Sequence, residues 1–202
     1  MNLLLVHGFL NRGTFLRPLQ RRLEAAGHAC FAPSLRPCDA RHGIPDLANK
    51  LADYTDGNLP ANAPLAIVGF SMGCVVGEYY LQSKRKHPRV RAFFAISGPM
   101  NGTLTAWLYP GKGTRQMRPG SRFLRELAVA GNHPADVPVF TYFTPLDLMI
   151  IPTRSSRIAN SRELSVWTPL HHAMLYNQTV AADILEKLRD LRVAPKTGGD
   201  RL

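Results

Sequence analysis

Short apolar runs alternate with stripes of helical period along this chain. Leu3-Leu4-Leu5-Val6 is a continuous apolar run bounded by turn residues, the pattern of a strand buried on both faces. Pro18 opens a helix with Leu19, Leu23 and Ala26 on one stripe, and Gly27 stops it. Ala29–Ala32 reads as a second strand closed by Pro33. A second helix opens at Pro45, carries Leu47, Leu51 and Tyr54 on one side, and breaks at Asp56-Gly57. Leu65–Gly69 is a third strand, and a helix follows it to about Lys86. Arg91–Ile96, Val137–Phe143 and Glu163–Trp167 read as three more strands. Residues 98–121 are rich in Gly and Pro and form a long excursion with a short helix inside; long loops in compact domains often carry function. Phe123, Leu124, Leu127 and Ala128 suggest a helix, and Ile158 lies in a possible short one. The last helix carries Val180, Ile184, Leu188 and Leu191, and the tail from Pro195 is expected to be disordered.

Strands that alternate with helices predict a parallel sheet with right-handed crossovers, hence an α/β fold. At 202 residues, without repeat or linker, the expectation is one domain over 1–194. Ligands of such sheets bind beyond the carboxyl ends of the strands. His7 and Gly8, Ser71, Asp147 and His171 follow strands one, three, five and six and fall there together.

Composition narrows the function classes. Apolar residues make up 45% and charged ones 19%, as in soluble globular proteins. Three cysteines, Cys30, Cys38 and Cys74, argue against a disulfide framework, and their spacing suits no usual metal site. No run approaches a membrane span, and Met1 leads into Leu3–Val6 without a basic leader, so the expected compartment is the cytoplasm. The net charge is +11 and uneven: between Glu78 and Glu126 stand ten Lys/Arg and no carboxylate. Such a block suits an anionic surface, and equally a solvated face that aids solubility. No aromatic–basic RNA motif or helix-turn-helix is visible, so no specific nucleic acid is expected as a partner.

The chemistry centres on Gly69-Phe70-Ser71-Met72-Gly73, a G-x-S-x-G between a strand and a helix. A serine at such a sharp turn is lifted clear of the sheet with its hydroxyl exposed, and the helix N-terminus favours negative charge beside it. A Gly-rich turn with an idle serine shares the five letters; the strand before and the helix after favour a nucleophile. Serine is weak at neutral pH and needs a base, and a histidine held by a carboxylate supplies one. Ser71, Asp147 and His171 occur in that order. Asp39 stands too early in the chain to be the acid, and Asp136 precedes the fifth strand, which places it at the opposite edge of the sheet.

Four segments carry a resemblance: Val6-His7-Gly8-Phe9, the G-x-S-x-G, Leu146-Asp147-Leu148-Met149-Ile150, and His171-His172-Ala173-Met174-Leu175-Tyr176. Over nearly its whole length the chain is similar to the small, lidless bacterial lipases and esterases of the α/β-hydrolase superfamily. The resemblance implies a six-stranded parallel sheet in the order 2-1-3-4-5-6 with helices on both faces. It selects His171 over His172, because Met174 and Leu175 follow at three and four residues. The fold implies an oxyanion hole from the backbone N–H groups of Met72 and Phe9, with His7 organising the loop. Cys74 replaces a glycine common in relatives, and Asn101 stands where many have histidine. Trp107, Leu108 and Met149 are the candidates for binding the acyl group.

The expected activity is hydrolysis of carboxylic esters, on a small-molecule or lipid substrate, with no metal or organic cofactor. The same triad would serve an acyltransferase, a thioesterase or a peptidase. A non-catalytic module docking on anionic lipid or nucleic acid through residues 84–125 is the alternative from a different class. The basic residues interleaved with Trp107, Leu108, Tyr109 and Met117 suggest peripheral contact with an anionic membrane.

Overall fold

The computed structural model of the chain describes residues 1–83, 89–129 and 133–193. Six strands, β1 Asn2–Val6, β2 Ala29–Phe31, β3 Leu65–Phe70, β4 Val90–Ile96, β5 Val139–Phe143 and β6 Arg162–Ser165, form one parallel sheet. Their order is β2-β1-β3-β4-β5-β6, so the chain reverses direction across the sheet after β2 and leaves a crevice beside β1 and β3. The reason is legible in β1: Leu4 and Val6 point into one core and Leu3 and Leu5 into the other, all fully buried. A strand apolar on both faces needs helices on both.

One face is covered by α2 Ile44–Asn58, α3 Met72–Gln82 and α5 Arg122–Leu127, and the other by α1 Arg17–Ala25 and α6 Gln178–Val193. The helical stripes of the sequence are the buried sides: Leu19 and Leu23 of α1, Leu47 and Leu51 of α2, Val180, Ile184 and Leu188 of α6. Gly27 ends α1 with φ +81°, a conformation that favours glycine.

Several boundaries differ from the sequence reading. α3 ends at Gln82, where Ser83 turns extended and its hydroxyl donates to Tyr80 O; Lys86 lies outside the described residues, as does the tail from Pro195. β5 begins at Val139, because Pro138 has no N–H for the ladder. β6 runs over Arg162–Ser165, since its partner β5 ends at Phe143, and Trp167 stands beyond the pairing. The short helix expected around Ile158 is a 3-10 turn at Thr153–Ser156, started by Pro152, and Ile158 is past its end. The excursion after β4 holds two short helical pieces, a 3-10 turn at Leu104–Trp107 and α4 at Lys112–Gln116.

Candidate active site

Ser71 sits between β3 and α3 with φ 55° and ψ −126°, a region that costs a non-glycine residue about 1–3 kcal/mol. Its neighbours enforce the strain. The Ser71 N–H donates to Ile96 O at 2.9 Å, and its carbonyl accepts from the Cys74 N–H at 2.9 Å. A Cβ on Gly73 would lie 2.0 Å from Val6 O, and one on Gly69 would lie 2.7 Å from Cys74 Cα. The two outer glycines of the motif are therefore steric requirements of a helix pressed against the end of the sheet. Cys74 fits the same space: it is fully buried, its Sγ–H donates to Ile96 O, and burial pushes the thiol pKa up, which keeps it protonated and unreactive.

Asp147 and His171 meet on the loops after β5 and β6. His171 Nδ1–H donates to Asp147 Oδ2 at 2.7 Å, with side-chain exposures of 11% and 2%. The other carboxylate oxygen, Oδ1, accepts the N–H groups of Met149 at 2.8 Å and Ile150 at 2.9 Å. Burial opposes ionisation of Asp147, but the hydrogen bond and charge of His171 and the two N–H groups outweigh it, so its pKa lies below the usual value. With Nδ1 committed to the carboxylate, Nε2 is the free face of the imidazole. It is buried, has no hydrogen-bond partner among the described residues, and its ring packs 4.9 Å from that of Phe70, next to Ser71. His172 points to solvent. Asp39 is paired with Arg41 at 2.6 Å, and Asp136 is exposed just before β5.

The loop after β1 approaches from the other side. A Cβ on Gly8 would lie 3.0 Å from Ser71 Cβ, so a side chain there would press on the serine. His7 is fully buried: its Nδ1–H donates to Gly8 O at 2.9 Å and its Nε2 accepts from the Leu35 N–H at 2.9 Å. Both ring nitrogens are used, and burial lowers its pKa, so His7 is a neutral brace between the loops after β1 and β2.

Phe9, Ser71 and Met72 share one small cavity of about 50 Å³, with Thr103, Tyr109, Met117 and Met149 among its walls. Met149, a candidate for binding the acyl group, lines this cavity. Trp107 and Leu108 are not in that cavity; they are 60% and 76% exposed on its outer rim. Tyr109, stacked edge-on against Phe9 at 5.1 Å, takes the inner position. A larger cavity of about 490 Å³ lies away from Ser71, along Glu78, Leu127, His133 and Ile158. Among the described residues no group of three or more His, Cys, Asp or Glu could hold a metal ion.

Two threonines that the sequence reading passes over hold the site together. Thr144 Oγ donates to Thr168 O at 2.8 Å and accepts from the Leu146 N–H, joining the loop of Asp147 to that of His171. Thr103 Oγ donates to Met149 O at 2.8 Å and accepts from the Ile151 N–H, tying the excursion after β4 to the loop whose N–H groups hold Asp147. A signal for the first was present: Thr144-Pro145-Leu146 precedes the acid and Thr168-Pro169-Leu170 precedes the histidine. Asn101 donates to Arg157 O at 2.8 Å and fastens the same excursion further out.

Solved structures of similar fold include a lipase B of Aspergillus fumigatus, with a TM-score of 0.78 and 19% identity over 93% of this chain and 52% of that one. The chain spans about half the length of that lipase. A metagenomic carboxyl esterase matches with a TM-score of 0.74 and 17% identity, over 95% of this chain and 75% of that one. A pyrethroid hydrolase from Sphingobium faniae matches with a TM-score of 0.60 and 18% identity, over 96% and 98% of the two chains. A sequence search of the curated proteins gives no match. Residues 3–201 match the Alpha/beta hydrolase family, and the chain belongs to that family.

Proposed function

We propose that the chain is a serine hydrolase of carboxylic esters, with Ser71 as nucleophile, His171 as base and Asp147 as the group that orients it. One observation carries the reading: a histidine held by a carboxylate at 2.7 Å keeps its second nitrogen buried and unpartnered beside the serine turn. His171 Nε2 takes the proton as Ser71 Oγ attacks the ester carbonyl. The N–H groups of Met72, at the start of α3, and Phe9, on the loop pressed against Ser71, receive the charge on the carbonyl oxygen. His171 then protonates the departing alcohol, and water, activated by the same nitrogen, releases the acid. Structures named lipase, carboxyl esterase and pyrethroid hydrolase share the fold, which supports an ester as substrate.

A series of 4-nitrophenyl esters of increasing acyl length tests this. The wild-type protein turns over members of the series and Ser71→Ala does not. Equal turnover by both proteins, or none by the wild type on any member, would remove the proposal.

A further inference from the structure

Exposed apolar side chains are concentrated on one end of this molecule. Fourteen large ones stand exposed among the described residues, and thirteen lie on the loops that leave β1, β4, β5 and β6 at their carboxyl ends; Val129 is the exception. The most exposed are Trp167 at 77%, Leu108 at 76%, Leu148 at 69% and Trp107 at 60%. Singly exposed apolar residues are unremarkable, but a contiguous apolar rim marks an interaction surface. The loops that carry these side chains are fastened together: the Leu104 N–H donates to Ile151 O at 2.9 Å, Thr105 Oγ to Met149 O at 2.7 Å, and Thr144 Oγ to Thr168 O. These bonds join three of the four loops, and Phe15 on the fourth reaches the site through Phe70 at 6.1 Å.

Charge on this end is one-sided. Residues 7–16, 32–43, 97–121, 144–157 and 166–177 carry eight Lys/Arg and two carboxylates. Of the two, Asp39 is bound to Arg41 and Asp147 to His171. Lys112, Arg115 and Arg154 are exposed, and the Arg118 guanidinium lies 4.0 Å over the Trp107 ring, bracing an indole that projects into solvent. The basic block of the sequence is thereby divided. Arg89 is buried before β4, at the far end of the sheet, where it donates to Pro60 O, and Arg122 is paired with Glu126 on α5. The cations that matter are those of the excursion and of the loop after β5.

We infer that this end of the molecule docks on an anionic lipid bilayer, with Trp107, Leu108, Leu148 and Trp167 entering the interface and the basic residues meeting the headgroups. The proposal builds on the ester-hydrolase reading. A bound protein would cap the mouth of the Ser71 cavity, whereas a bilayer takes up the same apolar side chains and delivers an ester to it. Aromatic and aliphatic side chains beside Lys and Arg are the composition of interfacial binding.

Vesicle sedimentation tests the inference, with Ser71→Ala protein so that no lipid is consumed. Binding is compared on neutral phosphatidylcholine vesicles and on vesicles with about 30% phosphatidylserine, at about 0.05 M and 0.5 M salt. Binding is expected on the anionic vesicles, weaker at high salt. The combined change Lys112→Ser, Arg115→Ser and Arg154→Ser should lower partition by on the order of 100-fold. Trp107→Ser with Trp167→Ser should lower it further. Placed in the Ser71 background, the triple basic variant should keep 4-nitrophenyl acetate turnover, which separates docking from chemistry. Equal binding to neutral and anionic vesicles would overturn the inference. So would binding to neither, which would leave the rim for a protein partner, or full binding by the triple variant. Loss of ester turnover in the wild type would instead count against the hydrolase reading alone.

Discussion

Two partly buried histidines each lean on a carboxylate, and they differ in the second nitrogen. His171 meets Asp147 at 2.7 Å and leaves Nε2 unpartnered, under Phe70 and beside the serine turn. His133 meets Glu78 at 2.9 Å, but its Nε2–H donates to Val137 O at 2.8 Å. An imidazole with an acceptor on each side has both nitrogens protonated, so it is a cation with nothing left to accept. Burial opposes that charge, yet Glu78, Val137 O and the field of Asp136 raise its pKa above the usual value. Glu78 accepts from Gln82 as well, and the cluster ties α3 to the segment entering β5. The pairing of imidazole and carboxylate alone therefore does not separate the two histidines; the second nitrogen, free in one and bonded in the other, does.

The comparison is sharpened first by substitution. His171→Ala should reduce ester turnover by about 10⁴-fold or more, and Asp147→Asn by a comparable factor while the protein stays folded, because triad members act as a unit. His133→Gln should keep turnover within about tenfold, and exposed His172→Ala should do the same. Steady-state kinetics on one soluble ester reads all four. Loss of activity in His133→Gln with a normal melting curve would break the distinction.

The smaller effect is on stability. His133→Ala strands Glu78 in the interior and should cost on the order of 3 kcal/mol, read by urea unfolding. The pH dependence has a definite sign. A histidine whose folded pKa lies above its unfolded one stabilises fully below the unfolded pKa and loses that contribution as pH rises through the folded one. The stability gap between wild type and His133→Gln should thus be widest below about pH 6.5 and narrow on the alkaline side. Asp147 runs the other way. Its lowered pKa contributes above the ordinary carboxylate pKa and is lost as pH falls through the folded value.

What the sequence made legible has a physical pattern. β1, β3 and β4 announce themselves because a strand buried on both faces must be apolar throughout, as Leu3–Val6 and Leu65–Phe70 are. The serine turn is legible because Gly69 and Gly73 are steric necessities and stand two residues either side of it. The strand order came from resemblance to a family, and the sheet has that order. β6 was harder, since an edge strand with only partial burial carries a weak pattern and its end is set by its partner. The struts Thr103 and Thr144 act through hydrogen bonds across 46 and 24 residues of chain, which no local pattern encodes. The His133–Glu78 pair spans 55 residues and belongs to no motif. The basic block looked like one face because it is continuous in sequence, and the fold sends Arg89 and the excursion's Lys112, Arg115 and Arg118 to opposite ends of the sheet.

The central claim is that Ser71 is the one serine with a base poised to activate it. Mass-spectrometric mapping of the adduct formed with a fluorophosphonate probe tests it most directly. A single adduct on the peptide containing Ser71, absent from Ser71→Ala and formed far more slowly by His171→Ala, is the predicted result. An adduct on any other residue, or a wild-type protein that does not react, would contradict the account.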